Sequence, residues 1–389
     1  MLKALFKREA APLENTLELD IRSLRPSAGE IRQQDTDQTL FLSPLPVYTG
    51  QPQTSRRSFS EVNDTYLELG GTNRGMVWQG KLLAIMAWMG LSMAFIVPTL
   101  VILYGIVFYP ENFPDPIASW SVAVQAFSLY TSPFLIPLGA CFHTVFQGVE
   151  ALAKTYPVRF NRQRREVCYV DDKTHRVLIV PWESVVAWVS NCQGLGNHGI
   201  AREYIFGMGL EDETTDAVQF ITLAQPSDMH ALGMWTAIRN YMEEGELVDT
   251  PTPWVAFSGL IPNEDELKPY EGLHTFEVEK REKFLLGSLN VDDDYAKQIG
   301  LKKSKWPLRR WYIRRIILFW KLPYLLAEWG HRKGRPPMPE SVIAWSQPLP
   351  PEQWAQPSPA LIKANAIVKK AMDKKKMTFV EACKAAGLH

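Results

Sequence analysis

Charged side chains are missing from two long stretches of this 389-residue chain. None lies between Lys81 and Glu111, and none between Asp115 and Glu150. Each gap exceeds the roughly 20 apolar residues that carry a helix across the hydrocarbon core of a bilayer. A helix on the surface of a soluble core would show a polar face instead. Gln125 and His143 are the only strongly polar groups over Leu82–Tyr109 and Ile117–Phe146. No carboxylate, lysine or arginine marks an ion path there, which argues against a channel or transporter.

Net charge is absent as well, with 42 basic residues against 42 acidic ones. No global field gathers nucleic acid, and no nucleic-acid partner is expected. The four cysteines, Cys141, Cys168, Cys192 and Cys383, form no C-x-x-C pair. That excludes a disulfide framework and a zinc site, and fits a reducing cytoplasm. The histidines are scattered, and neither a Walker A sequence nor a G-x-S-x-G elbow is present. Gly194-Leu-Gly196-Asn-His-Gly199 has the spacing of a dinucleotide fingerprint, but Tyr204-Ile-Phe206 beyond it reads as strand, where that motif needs a helix. Cys168 sits beside Arg164 and Arg165, yet the alternation around it makes it a core thiol. The chain is therefore read as a non-enzyme, with no catalytic, cofactor-binding or metal residues and no cofactor. The N-terminus has no signal-peptide core, so the first apolar helix is expected to act as its own insertion signal.

What is present is a hairpin. The two stretches predict transmembrane helices over about 82–109 and 117–147, within a segment 76–150. The turn between them, Pro110 to Pro116, holds two acids and no base. Arg74 and Lys81 precede the first helix, and Lys154, Arg159, Arg162, Arg164 and Arg165 follow the second. The positive-inside rule places both termini in the cytoplasm of a multi-pass protein, in the bacterial inner (cytoplasmic) membrane. Trp78, Trp88, Tyr109 and Trp120 fall near the expected interfaces. The second helix is rich in small and hydroxylic residues. These suit packing between the two helices, a homo-oligomer or a membrane-embedded partner alike.

Around the hairpin, residues 1–75 read as a flexible cytoplasmic arm, in which Leu40 to Tyr48 is an exception fit to dock in extended form or to add to a sheet edge. Residues 151–248 alternate between apolar and polar in short runs and end in an amphipathic helix near 227–244. Meandering strands closed by one helix resemble a pleckstrin-homology-like domain. A linker over 249–300 leads to a basic, aromatic-rich segment, 301–335. There Lys302, Lys303, Lys305, Arg309, Arg310, Arg314, Arg315 and Lys321 are interleaved with Trp306, Trp311 and Trp320. This reads as one amphipathic helix in the plane of an anionic membrane surface, with Arg315 out of step with its polar face. The turn Arg162, Arg164, Arg165 is a second expected contact with lipid. A Pro-rich tail with short helices, 336–389, completes the chain. The expected class is thus membrane α+β: a two-helix transmembrane hairpin, a cytoplasmic antiparallel β domain with a closing helix, and a basic interfacial helix.

Arg159-Phe-Asn-Arg162, Glu166-Val-Cys-Tyr169, Pro181-Trp-Glu-Ser-Val-Val-Ala-Trp188, Arg314 to Pro323 and Gly334-Arg-Pro-Pro337 together resemble an uncharacterised family of proteobacterial membrane proteins, from about Gly70 on. Members are often encoded beside type VI secretion and toxin–immunity genes. The resemblance implies an inner-membrane protein that binds or neutralises an effector, and it brings no catalytic residue. The reading is therefore a non-enzymatic inner-membrane protein mediating protein–protein interaction, as an immunity or adaptor protein for a secreted bacterial effector. Its partners would be membrane lipids and an effector or secretion component. The alternative is a sensor or regulator responsive to anionic lipid.

Overall fold

The computed structural model describes residues 25–34, 37–54, 59–71, 75–196, 199–212, 214–215, 217–245, 268, 270, 275–288 and 305–388. In chain order the strands are β1 (Ile31–Gln34), β2 (Asp37–Phe41), β3 (Glu61–Val62), β4 (Tyr66–Leu69), β5 (Val158–Asn161), β6 (Glu166–Val170), β7 (Val177–Pro181), β8 (Val186–Gly196), β9 (Gly199–Asp212) and β10 (Ala217–Gln225). The helices are α1 (Met76–Phe108), α2 (Pro116–Thr131), α3 (Leu135–Leu152), α4 (Asp228–Glu244), α5 (Phe276–Ser288), α6 (Trp306–Ile317), α7 (Leu322–Lys333), α8 (Glu340–Trp345), α9 (Pro359–Lys375) and α10 (Phe379–Ala385). The fold is α+β. It divides into one body drawn from Met1–Gly70, Tyr156–Thr252 and Met338–His389, and another drawn from Gly71–Thr155 and Pro253–Pro337.

The first body holds two antiparallel sheets, ordered β1-β2-β8-β9-β10 and β3-β4-β5-β6-β7. Local chemistry sets the turns. Between β5 and β6, Asn161 Oδ1 accepts from the amides of Gln163 and Arg164, an Asx-type turn. Between β7 and β8 the chain passes from one sheet to the other through Trp182, whose indole is fully buried against Trp235 of α4 (centroids 5.1 Å apart). Phe160, Phe206, Ile238 and Tyr241 complete that core. Ser227 caps α4, and Gly245 ends it with φ +77°, a left-handed conformation suited to glycine.

The described part of 1–75 is not a flexible arm. β2 pairs with β8 from Gln38↔Asn191 to Phe41↔Trp188, and β4 pairs with β5. Leu42 and Val47 are fully buried, and Ser43 Oγ both donates to Val185 O (2.6 Å) and accepts from the amide of Ala187 (2.8 Å). Apolar side chains at 40–47 give this Pro-rich segment enough surface to bury. Residues 1–24 lie outside the described residues.

In the second body α1 runs unbroken for 33 residues, about 50 Å at 1.5 Å per residue. It passes through a wider π turn, Ser92–Ile96, just before Pro98. Proline has no N–H to give the carbonyl one turn back, and the wider turn accommodates that loss. The second apolar stretch, expected as one helix, is two: Pro116–Thr131 and Ile136–Leu152 meet at 52°, with Pro133 in the break. α1 also packs on α7, where a Cβ added to Gly80 would lie 3.0 Å from Pro323 Cα. Most of the expected linker 249–300 lies outside the described residues, and its part over 276–288 is α5.

Candidate membrane interface

The side of α1 turned away from its neighbours is apolar and open. Leu100, Leu103 and Val107 are exposed, as are Ile117, Val122 and Leu129 on α2. α2 packs against α1: the indole of Trp120 donates to Thr99 Oγ1 (2.9 Å), and Thr99 donates in turn to Phe95 O (2.6 Å), within the π turn. A hydroxyl that serves a backbone carbonyl beside a proline is a device suited to lipid, where water cannot. Of the aromatics expected at the interfaces, Trp78, Tyr109 and Trp120 are exposed, whereas Trp88 stacks on Phe319 with centroids 5.7 Å apart.

The basic segment differs from its expected form. Lys302 and Lys303 lie outside the described residues. The rest is two helices, α6 and α7, joined through Phe319 and Trp320, both left-handed (φ +52° and +53°). Pro323, lacking an N–H, sits in the first turn of α7, a position that opens a helix and does not continue one. The face α6 buries carries Trp311 and Arg315. Trp311 therefore does not sit at a lipid surface: its indole donates to Glu282 on α5 (3.1 Å). Arg315 does not reach lipid either, being 2 % exposed and ion-paired with Glu279 on α5. Arg314 reaches Glu282 at 2.6 Å from an exposed position.

α6 and α7 turn large apolar side chains outward among exposed cations. Ile313, Ile316 and Ile317 are 47 %, 59 % and 40 % exposed, with Trp306, Trp320, Leu322 and Leu325 open beside them. Arg309 and Arg310 on α6 are exposed, as are Lys305 and Lys321 at the residues just before α6 and α7. The burial of α6 is thus inverted, with an arginine inside and isoleucines outside.

Beneath it lies a charged cluster that no local sequence pattern announces. Glu279 Oε1 accepts from Lys81 Nζ of α1 (2.9 Å) and from Tyr324 Oη of α7 (2.5 Å), while its other oxygen faces Arg315. Phe276, Trp311, Trp320 and Tyr324 surround the guanidinium with centroids 5.1–6.0 Å away. Burial pushes the Arg315 guanidinium down from its ordinary value, yet an arginine stays charged in proteins.

The other expected lipid contact, the turn 162–165, is occupied within the first body. Arg165 is buried between Glu243 (2.7 Å) and Glu183 (3.1 Å). Arg162 donates to Gly245 O (2.5 Å) and Asp64 O (2.7 Å), and Arg164 donates to Trp345 O (2.9 Å). Carboxylates and carbonyls remote in sequence bond to these cations, and Arg165 among them is buried. Gly194 and Gly196 lie on β8 and Gly199 on β9, a strand-to-strand connection rather than a phosphate-binding helix start. Among the described residues no group of three His, Cys, Asp or Glu side chains could hold a metal ion.

Residues 136–259 match a protein family of unknown function, DUF6708. The match begins inside α3 and extends past α4, so it takes in the last apolar helix together with β5–β10. No curated protein and no solved structure matches the chain.

Proposed function

We propose that this chain is a non-enzymatic membrane anchor and interaction protein of the bacterial inner membrane. In this reading α1 and the bent pair α2–α3 form two spans, and both termini lie in the cytoplasm. α6 and α7 rest in the membrane surface, and the first body is offered to a protein partner. The inverted burial of α6 carries the reading. Three exposed isoleucines cost free energy in water, about 25 cal/mol for each Å2 of apolar surface. The same face is favourable against acyl chains, with basic residues at the head-group level. The length of α1, its open apolar side and the acidic turn Glu111–Asp115 between flanking cations support the two-span topology. The succession β5–β7, β8–β10, α4 suits a pleckstrin-homology-like domain, a fold used for docking. The likeness to proteins encoded beside secretion and toxin–immunity genes makes an effector or a secretion component the partner of choice.

Reporter fusions after Asn112 and after His389, with affinity purification of the crosslinked native complex, test this. A periplasmic reporter at Asn112, a cytoplasmic one at the C-terminus and one stoichiometric protein partner are expected. A cytoplasmic signal at Asn112 refutes the two spans, and absence of any protein partner refutes the interaction role. The exposed Lys305, Arg309, Arg310 and Lys321 favour one second reading, a regulator that responds to anionic lipid. In that case neutralising them abolishes function while partner binding persists.

A further inference from the structure

β10 ends the larger sheet of the first body, with β9 as its neighbour. In an antiparallel ladder every second residue turns its N–H and C=O away from the paired strand. Nine-residue β10 thus lines up a row of such groups along its outer side. Among the described residues nothing bonds to that side. Folded proteins block exposed edges with charge, proline, bulges or very short strands. The other three sheet ends show such devices: β3 has two residues, β1 has four with Arg32 among them, and β7 ends in Pro181. β10 shows none. Ala217-Val-Gln-Phe-Ile-Thr-Leu-Ala-Gln225 has no charge and no proline, and it pairs without a bulge from Ala217↔Asp212 to Gln225↔Tyr204.

We propose that β10 is a dimerisation edge, pairing antiparallel with β10 of a second copy about a two-fold axis at Ile221. The sequence is compatible with itself in that register. Ala217 faces Gln225, Val218 faces Ala224, Gln219 faces Leu223, Phe220 faces Thr222, and Ile221 meets its own copy, so no like charges are opposed. Both sheet faces gain apolar continuity across the seam. Val218 and Phe220 already pack with Phe41, Val186 and Trp188 on one face, and Ile221 and Leu223 pack on the core of the other. A second copy brings the same uncharged edge with no charge to oppose, and a symmetric contact of this kind closes after two chains. The inference concerns the first body alone, so a failed two-span topology would leave it standing.

The test is light scattering of the full chain in detergent over a concentration series, comparing wild type, Thr222→Lys and Thr222→Val. Thr222 is exposed on β10. A wild-type dimer, a Thr222→Lys monomer with unchanged circular dichroism and a Thr222→Val dimer are expected. A monomeric wild type, or a Thr222→Lys protein that remains dimeric, overturns the proposal. Ala224→p-benzoylphenylalanine gives a check that needs no loss of function: irradiation should yield a covalent homodimer crosslinked within β10. A crosslink to another polypeptide, or none, counts equally against it.

Discussion

Arg315 on α6 and Glu279 on α5 form an ion pair inside the second body, and Lys81 of the long apolar helix shares the same carboxylate. One buried carboxylate thus holds two cations from two helices. Removing one partner of a buried pair leaves the other charge uncompensated, at about 3–5 kcal/mol. Glu279→Gln, which takes the carboxylate from both cations, should destabilise the detergent-solubilised chain by that order in a thermal melt. Arg310→Gln, on the exposed side of α6, should shift it by less than about 0.5 kcal/mol. Near-ultraviolet circular dichroism follows the transition through the tryptophans. Equal melting of Glu279→Gln and wild type would refute the buried cluster.

Trp188 and Gly207 face each other across β8 and β9. A Cβ on Gly207 would lie 2.2 Å from Trp188 Cε2, inside a rigid indole and not at the end of a flexible chain. Gly207→Ala should therefore cost about 1–3 kcal/mol as an overpacking change. Trp188→Leu removes the obstacle, so the double variant should be less destabilised than the sum of the two single ones. Additive losses in denaturant melts would mean that the two residues are not in contact.

The thiols of the first body predict how stability varies with pH. Burial pushes Cys168 and Cys383 up to about 12 and, with help from Asp37, Cys192 up to about 11. Each folded value lies above the unfolded one, so the folded state holds the proton longer. The stabilisation is complete below the ordinary thiol value and declines as pH rises towards the folded one. Between pH 8 and pH 10 the fully buried Cys168 and Cys383 should each withdraw about 1–2 kcal/mol, and the half-buried Cys192 less. Cys168→Ala should flatten that alkaline decline, whatever it costs at neutral pH. A decline equally steep in the variant would rule out this source. Cys168 and Cys383 should also resist alkylation until the chain unfolds.

The parts of this fold that were legible in the sequence are those written locally. A gap in charge longer than a bilayer is a one-dimensional signal, and so is the alternation that lays out β5 to β10 before α4. Of the strands before the apolar helices only the end of β2 was legible, as a segment from Leu40 fit to add to a sheet edge; Phe41 pairs with Trp188 and Leu67 with Phe160, partners too remote for any local pattern to show. The same distance misled the reading of the cations. Arg162, Arg164 and Arg165 look like a basic surface turn until Asp64, Glu243 and Trp345 come to meet them. On α6 a helical wheel did register that Arg315 broke the polar face, but the reason, Glu279, lies on another helix. Pro323 was the overlooked sign that α6 and α7 are separate.

The inverted burial of α6 makes the sharpest prediction about the membrane. If Ile316 lies among acyl chains, a bimane label on Ile316→Cys should emit in the blue and be quenched by lipid-borne nitroxide in nanodiscs holding the full chain. A label on Lys363→Cys, on the exposed face of α9, should emit as in water. Each cation near an anionic surface contributes about 1 kcal/mol. The combined change Lys305→Gln, Arg309→Gln and Arg310→Gln should therefore weaken quenching at Ile316 in anionic nanodiscs, most clearly at low salt, because exposed charges are screened within about 10 Å at 0.1 M. Arg162→Gln should leave the quenching unchanged and lower stability instead, since its guanidinium bonds to Gly245 and Asp64 within the first body. An Ile316 label that emits as in water with every lipid composition would place α6 away from the bilayer and leave its isoleucines for a protein to cover.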